Sequence, residues 1–217
     1  ANRGWAPQVI EQLKTLKIQQ RLLFSLMAAG EINQAVVIAK QMARSGKISS
    51  ITSLTLFADA IGSKNLKKAI KVLDQTTVSA ITDFTIPLLR AWTLVAMGDY
   101  KKAISGLEPL TRIQGFEPMR LHHIALIEDF KGNKIVADQA YIRALDKSKS
   151  IRTLQAYGRF LERSGRRTEA YNLYTKYQTR QGLENQMKEE IFKFDTGLQR
   201  KGMIRTSSEG IAEAMFN

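Results

Sequence analysis

The sequence predicts an all-α chain of stacked helical hairpins, and three observations carry that expectation. First, a short turn pattern recurs: AGEINQA at 29–35, GSKNLKKA at 62–69, GDYKKA at 98–103, KGNKIVADQA at 131–140 and SGRRTEA at 164–170. Aligning the small residue that closes it gives Ala35, Ala69, Ala103, Ala137 and Ala170, at steps of 34, 34, 34 and 33. Second, apolar residues around each turn keep a helical phase. Third, the chain has 44% hydrophobic residues but only 4 Pro and 14 Gly, enough apolar surface for a continuous core and few breakers. No segment reads as a strand.

The units follow in order. Five hairpins are expected over residues 1–183, at about 16–49, 50–83, 84–117, 118–150 and 151–183. The third shows the logic: a first helix from about Phe84 to Met97 carries Ile86, Leu89, Trp92 and Leu94 in phase. A second, from about Tyr100 to Ile113, carries Ala103, Ile104, Leu107 and Leu110. The turn glycine supplies the left-handed conformation that ends the first helix, and the next polar residue is placed to cap the second. The residue after it, Ile32, Leu66 or Tyr100, is expected to pack back into its hairpin. The recurring alanine marks the closest approach of the two helices. Residues 184–205 read as a capping helix with Leu183, Met187, Ile191, Phe194 and Leu198 on its apolar side. Residues 206–217, with SSEGIAEAMFN, read as the start of a further helix that stops within its apolar pattern, as a truncated chain would.

This 34-residue helix-turn-helix period resembles the tetratricopeptide repeat. The fifth unit matches best, with Leu154, Tyr157, Gly158, Leu161, Gly165, Ala170, Tyr174 and Tyr177 at family positions, whereas Lys64 stands where the second turn would have glycine. Pentatricopeptide units are one residue longer. The segments IPLLRAWTLVAMGDYKKAI, YGRFLERSGRRTEAYNLY and SSEGIAEAMFN are similar to those of exported bacterial tetratricopeptide proteins, which implies a precursor with a signal peptide and a periplasmic protein, with a cytoplasmic location as the alternative.

The resemblance implies a right-handed superhelical solenoid with the first helix of each unit lining a concave groove. By that phase the partner-binding residues are Phe24, Met27, Leu54, Leu88, Trp92, Met119, His122, Leu126 and Phe130, with Arg152, Arg159 and Arg163 at a basic end. Such a groove suits a peptide, a helix or a partner subunit, anchored by apolar side chains. Trp92 and Phe130 fit two roles, anchor or inter-repeat core, and a missing C-terminal part of the protein could itself fill the groove. The Lys and Asn clamp of chaperone-binding members is absent, since Phe24, Ala58, Trp92 and Leu126 occupy its positions.

Other chemistry finds less support. There is no cysteine, hence no disulfide, thiol nucleophile or thiolate metal site. The adjacent His122 and His123 point about 100° apart on a helix, unsuited to sharing one metal or acid–base task. Glu128, Asp129, Glu189 and Glu190 read as solvated surface. The expectation is therefore a non-enzyme with neither cofactor nor metal.

The net charge is +13: residues 1–49 carry 7 basic against 2 acidic residues, residues 150–183 again 7 against 2, and residues 184–217 carry 5 against 6. A basic surface for nucleic acid or anionic lipid is the alternative reading, centred on Arg152, Arg159, Arg163, Arg166 and Arg167 with Tyr157, Tyr171, Tyr174 and Tyr177 nearby. Three of those tyrosines coincide with repeat core positions, which weakens it.

Overall fold

Helices form where the apolar phase is sustained. The structure, a computed structural model, describes residues 7–46, 48–77, 82–180, 182–196 and 204–216. Among these it is all-α: α1 (Pro7–Ala28), α2 (Ile32–Arg44), α3 (Ser50–Gly62), α4 (Leu66–Asp74), α5 (Thr82–Ala96), α6 (Tyr100–Ser105), α7 (Glu117–Lys131), α8 (Lys134–Lys147), α9 (Ile151–Arg163), α10 (Arg167–Tyr177), α11 (Glu184–Asp195) and α12 (Ser207–Phe216). A 3-10 helix, Glu108–Arg112, lies between α6 and α7. Among the described residues, no helix is long and apolar enough to cross a membrane.

One turn closes five successive helix pairs. At each, a residue with positive φ donates its N–H three residues back, and the next residue donates five back, which satisfies two carbonyls left orphaned at the helix end. The pairs are Gly30 to Met27 with Glu31 to Leu26, Lys64 to Ile61 with Asn65 to Ala60, and Gly98 to Val95 with Asp99 to Leu94. Gly132 to Asp129 with Asn133 to Glu128, and Gly165 to Glu162 with Arg166 to Leu161, complete the set, all at 2.8–3.1 Å. Lys64 adopts φ 57° where the other four turns place glycine at 75–85°. The hydrogen-bond pattern, rather than the glycine, is therefore the invariant. Capping by the following residue occurs at two turns: Asn65 accepts from the Lys68 N–H at 3.0 Å and Asp99 from the Lys102 N–H at 3.1 Å.

The recurring alanines are all fully buried: Ala35, Ala69, Ala103, Ala137 and Ala170 are each 0% exposed. A methyl group there lets the helix axes approach and leaves no void.

The chain divides into two compact units, residues 1–86 and 87–217. In the first, α1 packs on α2 and α3, and α3 on α4. Its core of Leu23, Ala35, Ala39 and Met42 is covered by Leu16, Leu26, Met27, Ile38, Ile51 and Leu56. Asp59 on α3 joins Lys40 of α2 at 3.2 Å and Lys68 of α4 at 3.1 Å. Burial raises the Asp59 pKa, but the two ammonium groups outweigh it and hold the carboxyl below its usual value.

In the second unit α7 packs on α8, α9 on α10, and α10 on α11. Gly158 of α9 is the tightest packing point of that hairpin: a Cβ there would lie 2.1 Å from the Tyr174 hydroxyl of α10, which itself donates to Glu162 at 2.8 Å. Tyr141, Tyr157 and Phe160 form an aromatic cluster with ring centroids 5.4–6.2 Å apart.

Three expectations are corrected. The helix expected over 100–113 stops at Ser105 and resumes as the 3-10 turn, because Pro109 lacks an N–H and its ring would meet the Ser105 carbonyl of a continuing helix. Arg120 of α7 binds the irregular stretch through Glu108 at 3.1 Å while pairing with Glu117 at 2.7 Å. Ile32 is 48% exposed rather than packed back into its hairpin. Within the helix expected over 184–205, α11 ends at Asp195; Leu198 lies outside the described residues.

Candidate functional site

The residues expected to face a partner fall in two places, one in each unit. In the first unit, α1 and the start of α3 enclose an open cleft of about 640 Å³, lined by Lys17, Gln20, Arg21, Phe24, Ser25, Ser49, Ser50 and Ile51. Helical phase produces this grouping: positions 17, 20, 21 and 24 share one face of α1. Phe24 is 65% exposed, and Lys17 and Arg21 are exposed on the same face. Ser49 caps α3, its Oγ accepting from the Thr52 N–H at 3.3 Å. Met27 packs half-buried on the core cluster, and Leu54 is half-buried on α3.

In the second unit α5, α7 and α9 bring together Leu88, Trp92, His122, Leu126, Phe130 and Arg152, but not as an open groove. Leu88, Trp92, His122 and Leu126 are buried. Of the two roles open to Trp92, core is the one found. Its indole N–H donates to Nδ1 of His123 at 3.0 Å, and Phe130 stands edge-on with centroids 6.4 Å apart. His123 is fully buried; burial first, then the neighbouring His122, brings its pKa down to about 3. It is neutral at ordinary pH, as an acceptor for the indole must be.

What covers this face is α12. Gly210 lies directly on the Trp92 ring, where a Cβ would come within 2.0 Å of Cε3 and 2.2 Å of Cδ2. One turn on, Glu213 takes a 2.7 Å ion pair from Arg152 of α9, and its Oε1 lies 3.7 Å from Nε2 of His122 of α7. Thr153 of α9 meets the other ring nitrogen of His122 at 3.2 Å. Burial opposes ionisation of Glu213, but His122 and Arg152 together outweigh it and hold its pKa at about 2. Ile211 and Ala214 complete the buried side of α12. Beside this face, Met119 and His122 line a cavity of about 210 Å³ with Gly115, Pro118, Ser148, Ser150 and Thr153.

The three arginines expected to orient a partner are all bound within the chain. Arg152 pairs with Glu213, Arg159 with Glu190 of α11 at 3.4 Å, and Arg163 with Asp129 of α7 at 2.6 Å. Arg166 joins Asp138 at 2.8 Å and Glu169 at 2.6 Å, and Arg167 lies 4.3 Å over the Phe194 ring. The reading of Glu190 and Glu128 as solvated is corrected: Glu190 is 1% exposed and also accepts from Gln155 at 3.2 Å, and Glu128 is buried. Asp129 likewise accepts from the Tyr141 hydroxyl at 3.3 Å. Local charge patterning does not reveal the placement of Glu190 and Asp129, because their partners lie 12–35 residues away. Gly210, Glu213, His123 and Thr153 belong to this face and were missed by sequence reasoning. Only the three-residue spacing of Gly210 and Glu213 on one helix face was a readable signal.

Among the described residues no three His, Asp or Glu side chains converge as a metal site would require. The sequence matches no protein-family model, and a comparison with curated proteins finds no match either.

Proposed function

We propose that this chain is a non-catalytic interaction scaffold, a tetratricopeptide-like superhelical array whose inward helices hold a peptide or helix of a partner protein. The observation that carries this reading is the first-unit cleft, where an exposed Phe24 and a half-buried Ile51 line the same space as Lys17 and Arg21. Its chemistry fits a segment with an apolar anchor and an acidic flank, in which the anchor desolvates Phe24 and the acid meets the two cations. The equal turns, the 34-residue step and the buried alanines support the repeat reading. The alternative, a basic surface for nucleic acid or anionic lipid, is weakened because Arg152, Arg159, Arg163 and Arg166 are held in ion pairs.

The test is capture from a nuclease-treated native extract at moderate salt, comparing the wild-type chain with Phe24→Glu. Because Phe24 is largely exposed, the substitution leaves the fold intact. A protein retained by the wild type and lost by the variant is the expected result. Equal retention by both chains, or retention that disappears with nuclease, refutes it.

A further inference from the structure

We infer that the Trp92–His122–Arg152 face is a second, sequence-reading helix seat, that α12 is its exchangeable resident, and that the partner it fits is a helix with glycine on Trp92 and glutamate three residues later. This inference rests on the reading of the chain as an interaction scaffold, and it adds a separate site with a defined partner chemistry.

The specificity follows from the contacts. A helix crossing α5, α7 and α9 must lay its backbone on the Trp92 ring, and a Cβ 2.0 Å from Cε3 forces either the helix or a fully buried indole to move. Trp92 is fixed by its hydrogen bond to His123, so the position selects glycine. One turn along the same face, Arg152 and His122 converge on a single carboxylate, which selects glutamate at the third residue on. The charges agree as well: residues 207–216 carry Glu209 and Glu213 and no basic residue, against the arginine of the seat.

The exchangeability follows from how few apolar side chains α12 buries. Of its side chains, Ile211 and Ala214 are buried, whereas Ser208, Ala212 and Met215 face solvent. An isolated helix of 10 residues is marginal in water, so α12 depends on the seat for its helicity. Elements with few buried apolar contacts open locally without global unfolding. A partner helix with the same glycine and glutamate competes for this seat by releasing α12.

The test uses the full chain, wild type and Gly210→Val, and a fluorescent peptide of residues 204–217. Gly210→Val ejects the resident helix and leaves the seat. The variant is expected to bind the peptide at least tenfold more tightly than the wild type, whose seat is filled. Peptides carrying Gly210→Val or Glu213→Gln should bind the opened chain at least tenfold more weakly. A variant that keeps its cooperative melting transition but does not bind the peptide overturns the inference. So does a variant that loses the transition, since α12 would then be a fixed part of the core. Either failure leaves the first-unit cleft and its Phe24→Glu test untouched.

Discussion

At the scale of single residues, three positions show opposite consequences of steric fit. Lys64 holds φ 57° in an exposed turn, a conformation that disfavours an L side chain by roughly 1–2 kcal/mol. Lys64→Gly should therefore raise the melting temperature by a few degrees, partly offset by the greater freedom glycine gives the unfolded chain. A calorimetric scan decides it, and an unchanged or lower transition would mean that the turn carries no strain. Gly158 is the reverse case. The methyl of Gly158→Ala must enter the Tyr174 ring, and overpacking of this kind costs about 1–3 kcal/mol, against a helix-propensity gain of about 1 kcal/mol. A net loss in denaturant unfolding is expected. Trp92 belongs with the core: Trp92→Phe keeps most of the ring but leaves the buried His123 Nδ1 without its donor, a loss of about 1–3 kcal/mol.

At the scale of elements, the hairpins and the docked helix obey different physics. Within a hairpin the alanine fixes the interaxial distance. Ala103→Leu is thus expected to destabilise the second unit by about 1–3 kcal/mol, and an unaltered melting curve would show that the helices do not meet there. The docking of α12 instead carries a charge dependence. The Glu213 pKa is lowered from 4.5 to about 2, so its stabilising contribution is complete above about pH 4.5 and is lost as pH falls toward 2. The difference in melting temperature between the wild type and Glu213→Gln should accordingly shrink as pH falls from 4.5 to 2. A difference that does not vary with pH would show that the carboxylate is not held by Arg152 and His122. The hairpins were legible in the sequence because their information is local: apolar phase, turn and alanine all lie within one 34-residue period. The break in the third hairpin was also written locally, in Pro109, but the apolar phase of Leu107 and Leu110 continues through it and masked the interruption.

At the scale of the whole molecule, a net charge of +13 coexists with arginines that are held in ion pairs along the second unit. Charge composition reports the first fact, and only the fold reports the second. The inward phase placed Trp92, His122 and Arg152 on one face, but phase cannot tell an open face from a covered one, and the covering residues, Gly210 and Glu213, lie far along the chain. Residual attraction to polyanions should be diffuse. Binding to heparin or single-stranded nucleic acid is expected to fall steeply between about 50 and 200 mM salt. An affinity that holds across that range would point to a specific polyanion site.

Trp92 also gives the protein an internal optical reporter. It is one of two tryptophans in the chain, its ring is roofed by the bare backbone of Gly210, and its nitrogen is bonded to an imidazole that stays neutral to about pH 3. With Trp5 replaced by phenylalanine, the remaining emission would come from this indole alone, dry and blue while α12 is seated, wet and red once it lifts. The seating equilibrium could then be followed in real time without any attached dye.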